Sequence, residues 1–399
     1  MLNQIFNKYT AAYRGLPRMA WMLSLVILIN RSGSVVLFFL VLYLTSQLEF
    51  TVGEAGRMIS VYGLGALAGS YLGGWLSDRI GVIRVMVFSL ILGAIGYIVL
   101  CYTKEPLLIT IVLFIVAIVV EAFRPANSAA LAMVCSPDVR ARGFALNRMA
   151  VNLGVTIGPA VGGFLALLSY ALLFWFDALT CIVASIFLIF LFKNSEIMHI
   201  KTNHETDAET KKPWKDHFYL ILLFLLFLTG IIFVQLMNTW PLYLKTYYKL
   251  IEDQIGILYA INGIIIVLME LPLIHSVEKK RTLKIMAVGA ILFAGGFGIL
   301  PLSTSYLFAA ISVIIWTFGE MLVFPLVTGL IANRASDETR GQYMGMFSFT
   351  FSLAFVIGPA LGSWIYDNLG PTSLWTGSGV LGILVMIGLL CLEKYRANI

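Results

Sequence analysis

The sequence is poor in charged residues for its length. Only 12% of its 399 residues are Asp, Glu, Lys or Arg, whereas 60% are hydrophobic. Soluble domains carry about 25% charged and about 45–50% apolar residues, so a soluble fold would lack the polar residues needed to cover its surface. A bilayer removes that requirement, because lipid solvates Leu, Ile, Val and Phe. The composition therefore excludes a water-soluble domain and predicts an all-α membrane protein.

Cysteine and histidine are also scarce. The four cysteines lie far apart without a CxxC pair, and the four histidines do not cluster. Structural metal sites need such clusters, so we predict no metal and no cofactor. The first residues lack the apolar core and small-residue cleavage site of a signal peptide, and we interpret them as a retained cytoplasmic tail.

Long apolar runs recur along the chain. A spanning helix needs about 20 apolar residues. Twelve stretches qualify: 20–46, 54–76, 83–103, 107–134, 143–168, 171–192, 217–244, 253–277, 283–302, 306–333, 341–367 and 372–392. The polar segment 193–216 separates six spans from six. We predict an N-terminal six-helix bundle in 1–192, a cytoplasmic linker in 193–216 and a C-terminal six-helix bundle in 217–399.

Positive charge is distributed unevenly among the loops. With the N-terminus inside, the cytoplasmic loops and tails hold twenty Lys and Arg residues, whereas the opposite side holds only Lys104, Lys245, Lys249 and Arg57. Cytoplasmic loops are enriched in Lys and Arg, so we predict a multi-pass inner-membrane protein with both termini in the cytoplasm. The net charge of +6 then faces anionic lipid and not nucleic acid. Short loops and tails favour a monomer.

The two halves of the sequence repeat each other weakly. Matching residues lie about 199 positions apart: Arg142 and Arg340 by 198, Glu121 and Glu320 by 199, Gly158 and Gly358 by 200. Repeats of six spans are the plan of transporters whose site lies near the membrane midplane at the repeat interface. We therefore expect a binding site between the two bundles.

The loop between spans 2 and 3 reads GWLSDRIGVIR from Gly74. It resembles the loop motif of the major facilitator superfamily, Gly-x-Leu-x-Asp-Arg-x-Gly followed by basic residues, although Val82 and Ile83 replace two of the basic positions. The carboxylate can lie near a helix N-terminus and pair with an Arg. The resemblance implies a latch that breaks when the protein changes conformation, formed by Asp78, Arg79, Gly81 and Arg84.

Span 5 carries a run of small residues around a proline, similar to the superfamily's antiporter motif of drug–proton exchangers. It consists of Gly154, Gly158, Pro159, Gly162 and Gly163. Small residues four apart allow close helix packing, and proline bends a helix. Packing without any bearing on transport direction is the alternative, because span 11 has a similar Gly-Pro pair. Spans, linker and motifs together imply the major facilitator fold, with two pseudo-symmetric six-helix bundles.

Five ionisable residues interrupt long apolar runs: Arg31, Glu121, Arg124, Glu270 and Glu320. Charges at bilayer depth are costly and usually functional, so we predict that these five carry proton coupling. Glu121 and Arg124 share a helix face, either as a sensing pair or as a structural latch. Glu320 has no Lys or Arg within a helical turn, which suits proton exchange. Permanent pairing with Arg31 or Arg124 is the alternative.

Glu270 is predicted either to line a cavity or to pair with the basic cluster at 279–281. Five polar or aromatic residues could hydrogen-bond a small-molecule substrate: Asn30, Asn127, Gln235, Asn238 and Trp240. Trp240 could instead anchor its helix at the membrane interface.

The leading hypothesis is proton-coupled export of a small amphipathic or drug-like molecule by alternating access. The alternative is proton-coupled uptake of peptides or other small metabolites. It rests on a segment from Arg124 to Asn127 that resembles span 4 of peptide transporters, and on Gly319-Glu320, which resembles their span 10. Their Glu-x-x-Glu-Arg-Phe motif is missing around Arg31. The sequence has no nucleophile–base pair and no phosphate loop, so we predict that the protein is not an enzyme.

Overall fold

The computed structural model describes residues 15–192, 213–277, 280–334 and 340–397. Regular structure in these ranges is helical, and no strand occurs in them. The fifteen α-helices are α1 (Arg18–Ser32), α2 (Val36–Ser46), α3 (Val52–Ile80), α4 (Val82–Tyr102), α5 (Pro106–Glu121), α6 (Phe123–Val134), α7 (Pro137–Leu168), α8 (Ala171–Phe192), α9 (His217–Val234), α10 (Thr239–Thr246), α11 (Glu252–Val277), α12 (Thr282–Gly298), α13 (Tyr306–Arg334), α14 (Arg340–Asn368) and α15 (Pro371–Ala397). Most of the predicted linker, 193–212, lies outside the described residues.

The helices reproduce the predicted spans. Among the residues that the structure describes, eleven stretches are long and apolar enough to cross a membrane, and α3 supplies the remaining predicted span. The 29 residues of α3 include seven glycines and two charged residues near each end, which lowers its hydropathy. Spans 1, 4 and 7 are each broken into two helices, at residues 33–35, 122 and 235–238. The all-helical, twelve-span fold is thus confirmed.

Local signals account for several helix ends. Proline stands in the first turn of α5 and α7, where its missing N–H costs nothing. Asp216 caps α9 by accepting a hydrogen bond from the Tyr219 backbone N–H at 3.2 Å, as an N-cap residue does. Gly81 separates α3 from α4 with φ +94°, a conformation that glycine adopts without strain.

The chain divides into two compact units. Unit 1 comprises Met1–Val36 and Gly65–Asn203, and unit 2 comprises Leu37–Leu64 and His204–Ile399. Residues 37–64, which include most of α2 and the start of α3, therefore belong to the unit formed mainly by the second half of the sequence. The predicted bundle boundaries at 192 and 217 stay a prediction.

In unit 1, glycines of α3 allow a close approach to span 4. A Cβ added to Gly65, Gly69 or Gly73 would lie closer than 3.0 Å to a backbone carbonyl oxygen of span 4. Those oxygens belong to Phe114, Ile118 and Ala122. The glycines are four residues apart and form one smooth stripe, the arrangement by which small residues pack membrane helices.

In unit 2, a polar network joins α9, α13 and α14 at one end. The Arg334 guanidinium donates to both carboxylate oxygens of Asp216, at 2.6 and 2.7 Å, and the Tyr343 hydroxyl donates to the same carboxylate at 2.9 Å. Burial alone would raise the pKa of Asp216, but the hydrogen bonds from Arg334, Tyr219 and Tyr343 outweigh it, so this pKa lies below its ordinary value. The network therefore favours an ionised Asp216.

Candidate transport site

The break in span 1 is held by two residues of α8, Asp177 and Thr180. The buried Asp177 carboxylate accepts hydrogen bonds from the backbone N–H groups of Val35 and Val36, at 2.9 and 3.2 Å. These are N–H groups at the start of α2, so Asp177 caps that helix from outside it. Thr180 fills the space beside Gly33, where any Cβ would collide with it.

Asn30 and Arg31 lie at the end of α1, just before this break. The Asn30 side-chain amide donates to Cys181 Sγ of α8 at 3.7 Å. Arg31 packs against α7, because a Cβ on Gly154 would lie 2.6 Å from Arg31 Cβ and one on Gly158 would lie 3.2 Å from the Arg31 carbonyl oxygen. Two glycines of the predicted antiporter motif thus let α7 approach Arg31 closely.

The guanidinium of Arg31 keeps an unused donor. Its Nε is buried and has no hydrogen-bond partner among the described residues. A buried donor without an acceptor is costly, so this position favours an acceptor supplied by water or by a ligand. Pro159, Gly162 and Gly163 continue the motif within α7, and both of those glycines are buried.

Glu121 and Arg124 meet at the break of span 4. Arg124 Nη1 lies 3.8 Å from Glu121 Oε2, with the side chains 66% and 12% exposed, respectively. An ion pair of this length with one largely exposed partner contributes little stability. The predicted pair therefore exists, and its guanidinium remains accessible. Its role in proton coupling stays a prediction.

Asn127 is buried one turn beyond Arg124. Its Nδ2 donates to Asn147 Oδ1 of α7 at 3.0 Å. Its own Oδ1 accepts no hydrogen bond from the described residues. Unit 1 thus contains a buried acceptor on Asn127 and a buried donor on Arg31, two residues that the sequence singled out.

Glu320 lies half-buried in the continuous helix α13. Asn262 Nδ2 of α11 donates to Glu320 Oε2 at 3.1 Å and to Thr317 Oγ1 at 3.0 Å. A neutral amide can hydrogen-bond to a carboxylate and also to a carboxylic acid. The arrangement is therefore compatible with both protonation states of Glu320.

Gln235 and Asn238 form the break of span 7. Gln235 Nε2 donates to the Gly358 carbonyl of α14 at 2.9 Å, and Asn238 Nδ2 donates to the Pro359 carbonyl at 3.0 Å and to Ser363 Oγ at 2.9 Å. Both side chains are buried. Their amides fasten the broken helix to span 11 in this conformation, and their substrate-binding role stays a prediction.

Trp240 lies in an aromatic cluster of unit 2. It is 0% exposed and makes edge-to-face contacts with Tyr259 and Trp316, with centroid distances of 4.9 and 6.4 Å. An interfacial anchor would need exposure to lipid headgroups, so that alternative does not apply here. A role in substrate binding stays a prediction.

Glu270 and the loop motif complete the predicted set. Glu270 is half-buried in α11, two residues before Pro272, and position 279 of the basic cluster lies outside the described residues. Arg281 Nε lies 4.0 Å from Glu393 Oε1.

In the loop motif, the Arg79 guanidinium lies 4.0 Å above the Trp75 ring and Arg84 Nη1 lies 3.5 Å from the Ile80 carbonyl. The Asp78 side chain lies outside what the structure describes, and the latch stays a prediction.

Three contacts of the site were not predicted from the sequence. Asn262 binds Glu320, Asn147 binds Asn127, and Asp177 caps α2. Each residue is a polar interruption of an apolar span, which is a detectable signal. The partner of each lies 20 to 142 positions away in the sequence, and helical periodicity cannot relate residues at such separations.

The chain is similar over most of its length to bacterial transporters. It is 26% identical over 379 residues to the uncharacterized MFS-type transporter YttB of Bacillus subtilis (strain 168), covering 93% of each chain. It is 26% identical to a Na(+), Li(+), K(+)/H(+) antiporter of Planococcus maritimus, covering 83% of this chain and 85% of that one. It is 25% identical to the multidrug resistance protein MdtH of Proteus mirabilis (strain HI4320), with 89% and 91% covered.

Solved structures share the fold at lower identity. A POT family transporter in complex with a thioalcohol-conjugated peptide superposes with a TM-score of 0.81 at 17% identity, covering 96% of this chain and 98% of that one. The nucleoside transporter NupG superposes with a TM-score of 0.78 at 13% identity, with 94% and 100% covered. The sequence profile of the Major Facilitator Superfamily matches residues 22–354 and 324–398, and the chain therefore belongs to the major facilitator superfamily.

Proposed function

We propose that this protein is a proton-coupled secondary transporter that exports small amphipathic or drug-like molecules by alternating access. The observation that carries the proposal is the half-buried Glu320, hydrogen-bonded to the neutral amide of Asn262. A proton carrier at bilayer depth must be stable with and without its proton, and an amide partner serves both forms. The relatives named as an antiporter and as multidrug resistance proteins support exchange and export.

Unit 1 supplies the second part of the proposal. The free Nε of Arg31 and the free Oδ1 of Asn127 are a buried donor and a buried acceptor. Buried polar groups are normally satisfied by protein, water or ligand. We propose that both groups help to bind the cargo. The guanidinium of Arg124, whose side chain is 66% exposed, would interact electrostatically with a charged group of the cargo.

The test is transport by purified protein in liposomes under an imposed pH gradient. Ethidium serves as the amphipathic probe, dialanine as the peptide probe, and Na⁺ as the inorganic cation probe. Glu320→Gln should strongly reduce proton-driven accumulation of the transported probe while retaining exchange of labelled for unlabelled probe. Glu105→Gln, at an exposed N-cap carboxylate, is the matched control and should behave as wild type. Full proton-driven transport by Glu320→Gln would reject the assignment.

The direction of proton movement separates export from uptake. When the transported probe is added outside the liposomes and moves in, an antiporter moves protons from the inside to the outside. A symporter moves protons inward together with the probe. The alternative, proton-coupled uptake of peptides or other small metabolites, is favoured by the buried Asn127 in the segment that resembles peptide transporters. Co-transport of protons with dialanine, and no response to ethidium, would select it.

A further inference from the structure

Thr317 lies one helical turn before Glu320 on α13. The two residues are three positions apart, so their side chains share one face of the helix. Asn262 of α11 contacts both with a single nitrogen: Nδ2 donates to Thr317 Oγ1 at 3.0 Å and to Glu320 Oε2 at 3.1 Å. An amide nitrogen carries two hydrogens, and both are therefore committed to α13.

The hydroxyl oxygen of Thr317 acts toward Asn262 as an acceptor. Its single hydrogen is donated to the Val313 carbonyl oxygen of the same helix at 2.6 Å, so it has no second hydrogen to offer the amide. If the amide turned over, Asn262 Oδ1 would face the Thr317 oxygen, and two acceptors would meet without a hydrogen between them. Thr317 is 0% exposed, and such a mismatch is costly where water cannot relieve it. Thr317 therefore favours the orientation that directs the amide nitrogen at Glu320.

The backbone of α13 packs closely on α12 at this level. A Cβ on Gly319 would collide with the Phe293 backbone, and one on Gly289 would lie 3.0 Å from the Gly319 carbonyl oxygen. Small residues allow membrane helices to approach in this way. The packing restrains the segment that carries Thr317 and Glu320, whereas Asn262 reaches them from α11 through a rotatable side chain.

The orientation of the amide decides where Glu320 can hold a proton. With the amide nitrogen at Oε2, that oxygen accepts a hydrogen bond both in the carboxylate and in the carboxylic acid. The proton then binds at Oε1, where the O–H bond forms on protonation and breaks on release. In the opposite orientation, Asn262 Oδ1 would accept from a protonated Oε2 and hold the proton there.

The first half of the sequence lacks this arrangement. Glu121 matches Glu320 at an offset of 199 residues, and the same offset places Ile118 at the position of Thr317 and Gly63 at the position of Asn262. An apolar side chain therefore occupies the matching helix position in the first half. Of the two carboxylates, only Glu320 is accompanied by a hydroxyl and an amide at these positions.

We propose that Thr317 is a positioning residue for proton coupling. It holds the Asn262 amide with its donor side toward Glu320 and so keeps the exchangeable proton on Oε1. Thr317 acts through Asn262 and needs no contact with the proton or the cargo. The proposal rests on the proposed function, which makes Glu320 the proton carrier, and adds what controls the hydrogen bond to that carrier.

The first test is infrared difference spectroscopy of the purified full-length protein in lipid bilayers, between high and low pH. The C=O stretching band of protonated Glu320 is the band that Glu320→Gln removes. In Thr317→Val the amide can turn over, so the C=O group should lose its hydrogen bond and its band should move to higher wavenumber. Thr317→Ser keeps the hydroxyl and should return the band to the wild-type position. An unmoved band in Thr317→Val, or no band that Glu320→Gln removes, would overturn the proposal.

The second test is a double-mutant cycle on proton-driven accumulation in liposomes, measured with ethidium, or with dialanine if the wild type carries that probe instead. Thr317→Val should lower accumulation about three- to tenfold, the effect of losing one neutral hydrogen bond. Thr317→Ser should stay within about twofold of wild type, because the hydroxyl acceptor is kept. In an Asn262→Leu background, Thr317→Val should have no further effect, since both changes act through one contact. An equal loss in both backgrounds would show that Thr317 acts independently of Asn262 and would overturn the proposal.

Thr328→Val is the matched control. The Thr328 hydroxyl also donates to a carbonyl of α13, that of Phe324 at 2.9 Å, and its loss should leave both the infrared band and accumulation unchanged. The two tests also separate this proposal from the proposed function. Full proton-driven accumulation by Glu320→Gln would reject the proposed function, and the infrared band alone would then decide whether Thr317 orients the amide. A strong loss in Glu320→Gln with an unmoved band in Thr317→Val would reject only the role of Thr317.

Discussion

Glu121 and Glu320 occupy corresponding positions of the sequence repeat, 199 residues apart, yet their surroundings differ. Glu121 is the last residue of α5, at a break in span 4, and lies 3.8 Å from the Arg124 guanidinium in the next turn. Glu320 lies inside the continuous α13 and accepts a hydrogen bond from Asn262 of another span. Glu121 thus has a cation close to it, whereas Glu320 accepts a hydrogen bond from a neutral amide.

The sequence repeat alone would give Glu121 and Glu320 the same role. Their different hydrogen-bond and ion-pair partners indicate two different roles. A carboxylate beside a fixed cation is stabilised in its ionised form, whereas an amide partner accommodates both protonation states. We therefore expect proton exchange during transport at Glu320, and a role in pairing with Arg124 at Glu121. The comparison can be tested by variants that remove one property at a time.

The largest effect is expected from neutralising the two carboxylates separately. Glu320→Gln should lower proton-driven probe accumulation in liposomes by a factor of about 10 to 100, the range of a typical coupling free energy. Glu121→Gln should lower it by a factor of about 3 or less, because a weak, partly exposed ion pair is lost. Initial rates at equal protein incorporation provide the measurement. Equal losses in both variants would mean that the repeat positions share one role.

A smaller effect should follow from removing the amide partner of Glu320. Asn262→Leu deletes the hydrogen bond to the carboxylate and should reduce proton-driven accumulation about tenfold, since a bond to a charged group is worth about 1.5–3 kcal/mol. Asn262→Gln retains an amide and should recover part of the loss. If Asn262→Leu transports as well as wild type, the neutral partner is not what distinguishes Glu320 from Glu121.

Much of the fold was predictable because it depends on local signals. Apolar runs of spanning length, proline at helix starts and a charged central segment can each be found within a short window of sequence. The breaks were harder to predict. Spans 1 and 7 were expected to be continuous, but residues 33–35 and 235–238 interrupt them, because Asp177, Gly358 and Pro359 supply hydrogen-bond partners from distant helices.

The sequence singles out the residues proposed for the candidate site, whose roles stay predictions, but it does not reveal their contacts. Charged residues in apolar spans identified Arg31, Glu121, Arg124 and Glu320, because burying charge in a membrane is costly. Asn262 contacts Glu320 across 58 positions. The amides of Gln235 and Asn238 hold a helix break, a use that their sequence neighbours do not reveal. Hydrogen-bond pairing depends on tertiary packing, which a single sequence does not specify.

A moderate effect on stability is expected at the end of α13, where the ion pair is much tighter than the pair at Glu121. Asp216→Asn should lower the free energy of unfolding at pH 7 by about 1–3 kcal/mol, because it weakens bonds from Arg334 and Tyr343. The pKa of Asp216 is lowered in the fold, so its stabilisation is present above the unfolded value of about 3.9 and lost as the pH falls through the folded value. The difference from wild type should therefore shrink below about pH 4.

Thermal unfolding in detergent, followed by tryptophan fluorescence between pH 3 and pH 7, measures this difference. Glu105→Gln, an exposed carboxylate, serves as the reference for general effects of pH on the detergent-solubilised protein. If the difference in stability between Asp216→Asn and wild type stays constant down to pH 3, the charge of the Asp216 carboxylate does not account for its contribution to stability.

The smallest effect is expected from Arg124→Met, which removes the cation beside Glu121. The pair is 3.8 Å long and the Arg124 side chain is 66% exposed, so the free energy of unfolding should change by about 0.5 kcal/mol or less. Arg334→Met, which breaks the bidentate pair with Asp216 in unit 2, should lower the free energy of unfolding several times more in the same thermal assay. If Arg124→Met instead lowers transport strongly while stability is unchanged, the exposed guanidinium acts on the cargo, and the asymmetry between the two repeat positions concerns substrate binding as well as protons.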